Sequence, residues 1–114
     1  FAVGQPIQEG RTVHYVAARQ VPDDRFSFGG RWRVEPQFAR SRRDARLHVN
    51  WQGESVNLVV GGRGIIRGTL NGEDVPEVPV SGAPRLYPVV TDRAGGTLDL
   101  RLSPGLEVYT LTFG

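Results

Sequence analysis

The sequence predicts an all-β fold: an antiparallel β-sandwich with jelly-roll-like connections. The first observation is alternation, because residues 45–52 place Ala45, Leu47, Val49 and Trp51 on one face and polar side chains on the other. A period of two is typical of a strand with one buried side. Short runs of this kind recur along the chain between turns rich in Gly and Pro, as in all-β sandwiches. No segment shows the helical period.

About eight or nine strands are predicted from these runs. They cover residues 11–19, 25–34, 45–52, 55–60, 65–70, 75–80, 86–91, 97–102 and 106–114, with the second broken at Gly29-Gly30. Pro76 and Pro79 lack the amide hydrogen that a central strand needs, so 75–80 is predicted as an edge strand or a polyproline-like connection. Residues 35–44 are polar and irregular and are predicted as a loop, with one helical turn around Phe38.

Three turns are predicted between the strands. Asn71-Gly72 is a strong signal for a two-residue hairpin. Residues 61–64, Gly-Gly-Arg-Gly, are predicted as a tight turn and not as a phosphate-binding loop, because isoleucines follow them where a helix would be needed. Ser103-Pro104-Gly105 is predicted to close a terminal hairpin. The buried side of its second strand would carry Tyr109, Leu111 and Phe113.

Length and composition indicate one domain belonging to a longer chain. The 114 residues suffice for one core, predicted to span residues 11–114, with 1–10 as a lead-in from an upstream domain. The absence of Met indicates that the segment begins inside a polypeptide or follows a processed terminus. The absence of Cys excludes thiol redox chemistry within the segment. No apolar run approaches membrane-spanning length, so direct membrane insertion is not expected.

The positive charge consists of arginine alone. All 14 basic residues are Arg, set against 12 acidic residues, and the net charge is +2. Most are interspersed with acidic residues, as on a solvated surface. Arg40, Arg42, Arg43 and Arg46 cluster, with Asp44 among them. No run of aromatic residues accompanies the cluster, so a nucleic-acid partner is not expected and a solvated loop is favoured.

Catalytic and metal-binding signals are weak. His14 and His48 lack a metal-ligand spacing, and the acidic Glu73, Asp74 and Glu77 lack the pattern of a calcium loop. The Gly-x-Ser-x-Gly sequence of a nucleophile elbow does not occur. We therefore predict no catalytic residue, no cofactor and no metal.

A ligand-binding face is the alternative to a catalytic site. His48 lies on the polar side of its strand beside Asn50, and is predicted to lie across from Asn57 or Ser55. Trp32 and Trp51 fall on apolar faces and are predicted to be core, which leaves Phe38 and Tyr87 as platforms for sugar stacking. The predicted ligand face comprises Arg46, His48, Asn50, Asn57, Arg85 and Tyr87.

Several stretches resemble a known family over nearly the whole chain. They are FSFGGRWRVEP, ARLHVNWQGESVNLVVGG, GTLNGE, RLYPVV and LSPGLEVYTLTFG. Together they resemble the C-terminal domain of thioredoxin-like (redoxin) proteins, including the cytochrome-biogenesis proteins of the DipZ type. The resemblance implies a fold similar to carbohydrate-binding modules. It also implies a position after a redox-active thioredoxin-like domain, outside the cytoplasm in the periplasm or cell envelope. The Cys-x-x-Cys pair of that redox domain is absent here.

The resulting prediction is a non-catalytic accessory module. Its partners would be the upstream thioredoxin-like domain, contacted through a docking loop containing Arg40, Arg42 and Arg43, and cell-envelope carbohydrate. One alternative is an independent carbohydrate-binding module, which an exposed aromatic residue on a concave face would favour. Another is a hydrolase with its site around His48, which a Ser or Asp within hydrogen-bond reach of that histidine would favour.

Overall fold

The computed structural model describes residues 4–22, 24–91 and 95–113, and this part of the chain contains strands and no helix. The strands are β1 Thr12–Tyr15, β2 Arg25–Val34, β3 Ala39–Ser41, β4 Arg46–Trp51, β5 Val56–Leu70, β6 Glu73–Val90, β7 Gly96–Leu102 and β8 Glu107–Phe113. All their pairings are antiparallel. The predicted all-β, antiparallel fold is confirmed. No helix able to cross a bilayer is found within those residues.

Hydrogen bonding closes six of the strands into a ring. The order is β2-β3-β8-β5-β7-β4, and β4 returns to β2. Strand β1 adds to the outside of this ring on β2, and β6 adds on β5. The two layers of the predicted sandwich are therefore continuous through paired strands, and closure leaves few free edges.

Strand β2 passes from one neighbour to another at its glycine pair. Its first half pairs with β4, up to Gly29, and its second half, from Gly30, pairs with β1 and then β3. The two pieces predicted from the sequence thus form one strand with a change of partner. Gly30 has φ +74°, a backbone conformation that residues other than glycine rarely adopt.

The predicted terminal hairpin is wrong. β7 and β8 do not pair with each other in the described structure; both lie along β5, with β8 on its first half and β7 on its second. The connection between them therefore runs beside β5 and makes no hairpin turn. Ser41 of β3 holds this connection: its hydroxyl donates to the Ser103 carbonyl at 2.6 Å and accepts from the Leu106 amide at 2.9 Å.

The last strand is irregular, and this corrects one predicted core residue. The pairing of β5 with β8 shifts between Val59 and Val60, so that Tyr109 has no partner in the register. An extra residue of this kind is a β-bulge, which redirects the side chains that follow it. Tyr109 is 36% exposed, whereas Leu111 and Phe113 pack against the core as predicted.

The glycine-rich segment at residues 61–64 lies inside β5 and is not a turn. Glycine is needed there for close approach, because a Cβ on Gly61 would lie 2.9 Å from Pro84 and one on Gly64 2.9 Å from Ser103. The hairpin at Asn71-Gly72 is confirmed and joins β5 to β6, with φ values of +50° and +87°.

Strand β6 is one long strand that pairs only with β5 in the described structure, so the edge position predicted for residues 75–80 is confirmed. Residues 86–90 continue the same strand. The predicted loop at residues 35–44 instead contains β3, and no helical turn forms around Phe38. Three residues are too few for alternation to reveal a strand.

The core fills the inside of the ring. Trp32 and Trp51 are both 0% exposed, which confirms their predicted place. The indole of Trp32 donates to the Gly29 carbonyl at 2.9 Å. Phe28 packs against Trp32, and their ring centroids are 5.0 Å apart. Aliphatic side chains from β4, β5 and β7 complete the cluster.

Candidate functional site

The outward face of β4 carries three of the predicted ligand-face residues. Arg46, His48 and Asn50 alternate with side chains that are buried in the core. β4 lies between β2 and β7, so these three residues are centred on a three-stranded outer surface. This is where we place the candidate site.

His48 contacts a carboxylate on the neighbouring strand. Its Nδ1 is within hydrogen-bonding distance of Asp99 Oδ1, and the two residues are direct cross-strand partners of β4 and β7. The predicted position across from Asn57 or Ser55 is wrong, because the part of β5 that holds Asn57 pairs with β6 and β8.

The Asp99 contact is the observation that would favour a hydrolase. A carboxylate on Nδ1 orients an imidazole, as in catalytic triads. On the other side of His48, its cross-strand partner is Ser27. Ser27, however, is 1% exposed and its Oγ accepts a hydrogen bond from the Ala18 amide at 2.9 Å. No hydrogen bond joins Ser27 to His48 in the described structure, so the orienting pair lacks a nucleophile.

A small cleft lies beside His48 and Asn50. Its volume is about 490 Å³, and residues 18–22 and Thr97 form its other walls. The Asn50 amide donates to the Val21 carbonyl at 2.8 Å, which ties the 18–22 segment to β4. Three or more potential metal-ligating side chains do not gather anywhere in the described residues.

The other three ligand-face residues lie elsewhere. Asn57 is on β5, and Arg85 and Tyr87 are on β6, which does not contact β4 through the sheet. Asn57 lies opposite Pro88, whereas the next residue along β5 lies opposite Tyr87, so Asn57 and Tyr87 point to opposite faces of this strand pair. The predicted face therefore divides into three separate places. Tyr87 is 5% exposed and the Arg85 guanidinium lies 4.7 Å from its ring centroid, so this ring is not an open stacking platform.

Arg85 also affects the ionisation of Tyr87. The pKa of the Tyr87 hydroxyl is lowered from its ordinary value, first because Arg85 stabilises the phenolate and second because the Ser81 amide donates to the oxygen at 3.3 Å. Phenolate is thus favoured in the folded chain relative to the unfolded chain.

We expect Arg85→Gln to raise the pKa of Tyr87 toward the ordinary value of about 10. The pKa of Tyr87 is lower in the folded chain than in the unfolded chain. The free energy of unfolding of the wild-type chain should therefore rise as the pH increases from the folded-state pKa to the unfolded-state pKa, and the variant should lose this rise. Tyrosinate absorbance titration measures the shift. Arg63→Gln is the control; identical curves for wild type and Arg85→Gln would contradict the assignment.

A residue just before β3 and a residue of β8 form an aromatic pair that the sequence did not predict. Phe38 and Tyr109 have ring centroids 5.4 Å apart, and the Arg40 guanidinium lies 5.1 Å from the Phe38 centroid. Arg40 also bonds Glu107 at 2.8 Å. Phe38 was a predicted platform, but the bulge that exposes Tyr109 has no signal in the alternation.

The predicted docking loop is not a single surface. Arg40 belongs to β3 and is held by Glu107, and Arg42 is half-buried. Arg43 is exposed, with Asp44 at 3.8 Å, and lines a second, larger cleft together with Arg46. Of the three arginines, Arg43 is therefore the one that is most available to a partner.

The described residues define an all-β domain, a closed ring of strands whose outer face carries charged and amide side chains. The whole chain, residues 1–114, matches the thioredoxin like C-terminal domain family, and the chain belongs to that family. The resemblance inferred from the sequence is confirmed. The segment contains no cysteine, so the thiol–disulfide chemistry of the redox domain is not carried over to it.

Curated relatives agree with this assignment, and two solved structures share the fold. The chain is 34% identical over 124 aligned residues to protein DipZ of Mycobacterium bovis and of Mycobacterium tuberculosis, covering 100% of this chain and 18% of each relative. The chain therefore spans about a fifth of the length of these relatives. Two structures of a family two carbohydrate esterase from Clostridium thermocellum, one of them an active-site mutant and both with a bound cello-oligosaccharide, share the fold. Each has a TM-score of 0.65 and 17% identity over 78% of this chain and 31% of the other.

Proposed function

We propose that this domain is a non-catalytic accessory module of an extracytoplasmic thioredoxin-like redox protein. It would dock the redox domain of its own chain or that domain's partners, or tether the redox domain to envelope glycans. The observation that carries the proposal is the match of the whole chain to a C-terminal domain family while it covers only 18% of each DipZ relative. Most of each relative's length lies outside the matched part.

The surface next to β1 supports docking. Residues 4–10 lie against β1, where the Gln5 side chain accepts from the Val16 amide at 3.1 Å and the Gln8 amide donates to the Tyr15 hydroxyl at 3.2 Å. Ile7 and Val16 are both exposed apolar side chains on this side. Phe1 and Val3, which the docking hypothesis also invokes, lie outside the described residues. Interfaces between domains of one chain combine such apolar residues with polar ones.

Thermal unfolding of a two-domain protein tests docking. We expect the redox domain and this domain to melt as a coupled unit, because an intrachain interface links their stabilities. Arg42→Glu with Arg43→Glu should separate the two transitions by placing negative charge at the interface. The same double reversal at Arg19 and Arg63 is the matched control. If each domain melts at the same temperature alone and joined, the docking proposal is wrong.

An independent carbohydrate-binding module is the second candidate. The Phe38 and Tyr109 pair supports it, because a partly exposed ring beside hydrogen-bonding groups is what sugar stacking needs. The esterase structures support only the fold. The hydrolase alternative has the contact between His48 and Asp99 in its favour, but lacks a nucleophile in reach among the described residues.

A further inference from the structure

A large open cleft on the outside of the ring is lined by arginines from four strands and a turn. Its volume is about 910 Å³. The strands β2, β4, β7 and β5 run side by side beneath it. The arginines that line it are Arg31, Arg43, Arg46, Arg67 and Arg101, and His14 lies at its margin on β1.

Three of these arginines form a row across neighbouring strands. The register places Arg46 of β4 opposite Arg101 of β7, and Arg101 opposite Arg67 of β5. Like charges directly opposite each other destabilise a sheet. A locally unfavourable arrangement of this kind is expected where function makes use of it. The row therefore indicates a surface built to meet negative charge.

Acidic side chains compensate only part of this charge. Arg67 Nε lies 2.9 Å from Glu77, and Arg43 Nε lies 3.8 Å from Asp44. Asp99, two residues before Arg101 on β7, is engaged by His48. Among the described residues, Arg31, Arg46 and Arg101 form no ion pair. At least three guanidinium groups in one cleft are thus open to an anionic ligand.

The remaining lining favours recognition by charge. Ile65, Leu102 and Pro104 form apolar parts of the wall, and no Phe, Tyr or Trp ring contributes to it. The Ser103 hydroxyl is already used, since it accepts from the Ile65 amide at 2.8 Å and donates to the Ile65 carbonyl at 3.0 Å. Without a Phe, Tyr or Trp ring for stacking, neither a neutral sugar nor a nucleic-acid base finds its usual platform.

We propose that this arginine cleft binds an oligosaccharide that carries several carboxylate or phosphate groups. Guanidinium groups bind both anions through paired hydrogen bonds. Neighbouring strands are about 5 Å apart, so anionic groups repeated along a polymer can each meet one arginine of the row. The cleft lies on a sheet face, where backbone groups are already paired, so it offers no ladder to an extended acidic peptide.

The proposed ligand specifies which glycans the tethering function would use. Only the assignment of the ligand to the cell envelope rests on the proposed function. Binding is measured on this domain alone, whereas docking is measured on the two-domain protein. Either can therefore fail without the other.

Titration calorimetry and amide NMR with hexagalacturonate and with tripolyphosphate test the proposal. We expect the wild-type chain to bind at least one of them at low salt, with resonances of Arg46 and Arg101 shifting and affinity falling as salt rises. Arg46→Gln with Arg101→Gln should weaken binding roughly tenfold or more. The two probes distinguish a carboxylate from a phosphate requirement.

The controls separate a site from general charge. Arg63→Gln removes an exposed arginine of β5 outside the cleft and should leave affinity unchanged. Near-UV circular dichroism checks that each variant keeps the wild-type fold. Four results would overturn the proposal: binding of neither probe, an equal loss in Arg63→Gln, equal binding of neutral cellohexaose, or tighter binding of hexaglutamate, which would indicate an acidic polypeptide.

Discussion

Trp51→Ala should destabilise the domain by about 3–5 kcal/mol, because it removes a large side chain from a core that cannot fully collapse around the cavity. Trp51 is 0% exposed and ends β4 beside the buried Leu47 and Val49. Urea unfolding followed by circular dichroism measures the change in free energy. A loss below about 1 kcal/mol would mean that the ring is exposed in solution.

Phenylalanine at the two tryptophan positions separates packing from hydrogen bonding. Trp51 Nε1 has no hydrogen-bond partner among the described residues, whereas Trp32 Nε1 donates to the carbonyls of Gly29 and Arg46, at 2.9 and 3.3 Å. Trp32→Phe should therefore cost about 1 kcal/mol more than Trp51→Phe. Equal costs would show that the indole hydrogen bonds contribute nothing net.

Gly30→Ala should cost about 4 kcal/mol or more, or prevent folding, because the backbone leaves no room for a side chain. A Cβ at this position would lie 1.8 Å from the Asp44 carbonyl oxygen, and φ is +74°. To remove this clash, the turn that contains Asp44 would have to move away from β2. That movement would break the bonds from the Arg31 amide to the Arg43 carbonyl and from the Arg42 amide to the Arg31 carbonyl, at 3.0 and 2.9 Å.

Gly82→Ala is the matched control, since it shares the unusual backbone without the clash. Gly82 has φ +95° and its Cβ would meet nothing within 4 Å. The strained backbone alone should cost about 1–2 kcal/mol. Similar losses of stability in both variants, measured by chemical denaturation, would contradict the role given to the Asp44 carbonyl.

Alternation predicted which side chains are buried but not which strands pair. The face of β4 that holds Trp51 is buried as expected, because burial depends on the period within one strand. Pairing depends on contacts between distant residues. The sequence turn at Ser103-Pro104-Gly105 is compatible with a hairpin, yet both flanking strands pair with β5 instead. A local turn signal cannot report that competing, non-local partner.

The same distinction applies to the candidate site. Arg46 and His48 could be assigned to a polar strand face from the sequence alone. The contact of His48 with Asp99, and the row of Arg46 with Arg101 and Arg67, need the register between strands far apart in the chain. Of the arginine cluster visible in the sequence at residues 40–46, only Arg43 and Arg46 line the cleft, and its other arginines come from β2, β5 and β7.

The number of paired residues differs around the ring and is smallest between β3 and β8. Two residue pairs, Ala39 with Val108 and Arg40 with Glu107, join these strands, and hydrogen bonds from Ser41 to residues 103–106 extend the junction. By contrast, β5 is paired on both sides along much of its length. Partial opening starts where few hydrogen bonds must break, so this junction is the natural point at which the ring separates. An opened ring is a curved sheet with two new edges, each able to pair with a second copy of the chain. The contact between Arg40 and Glu107 thus lies where such an opening would begin.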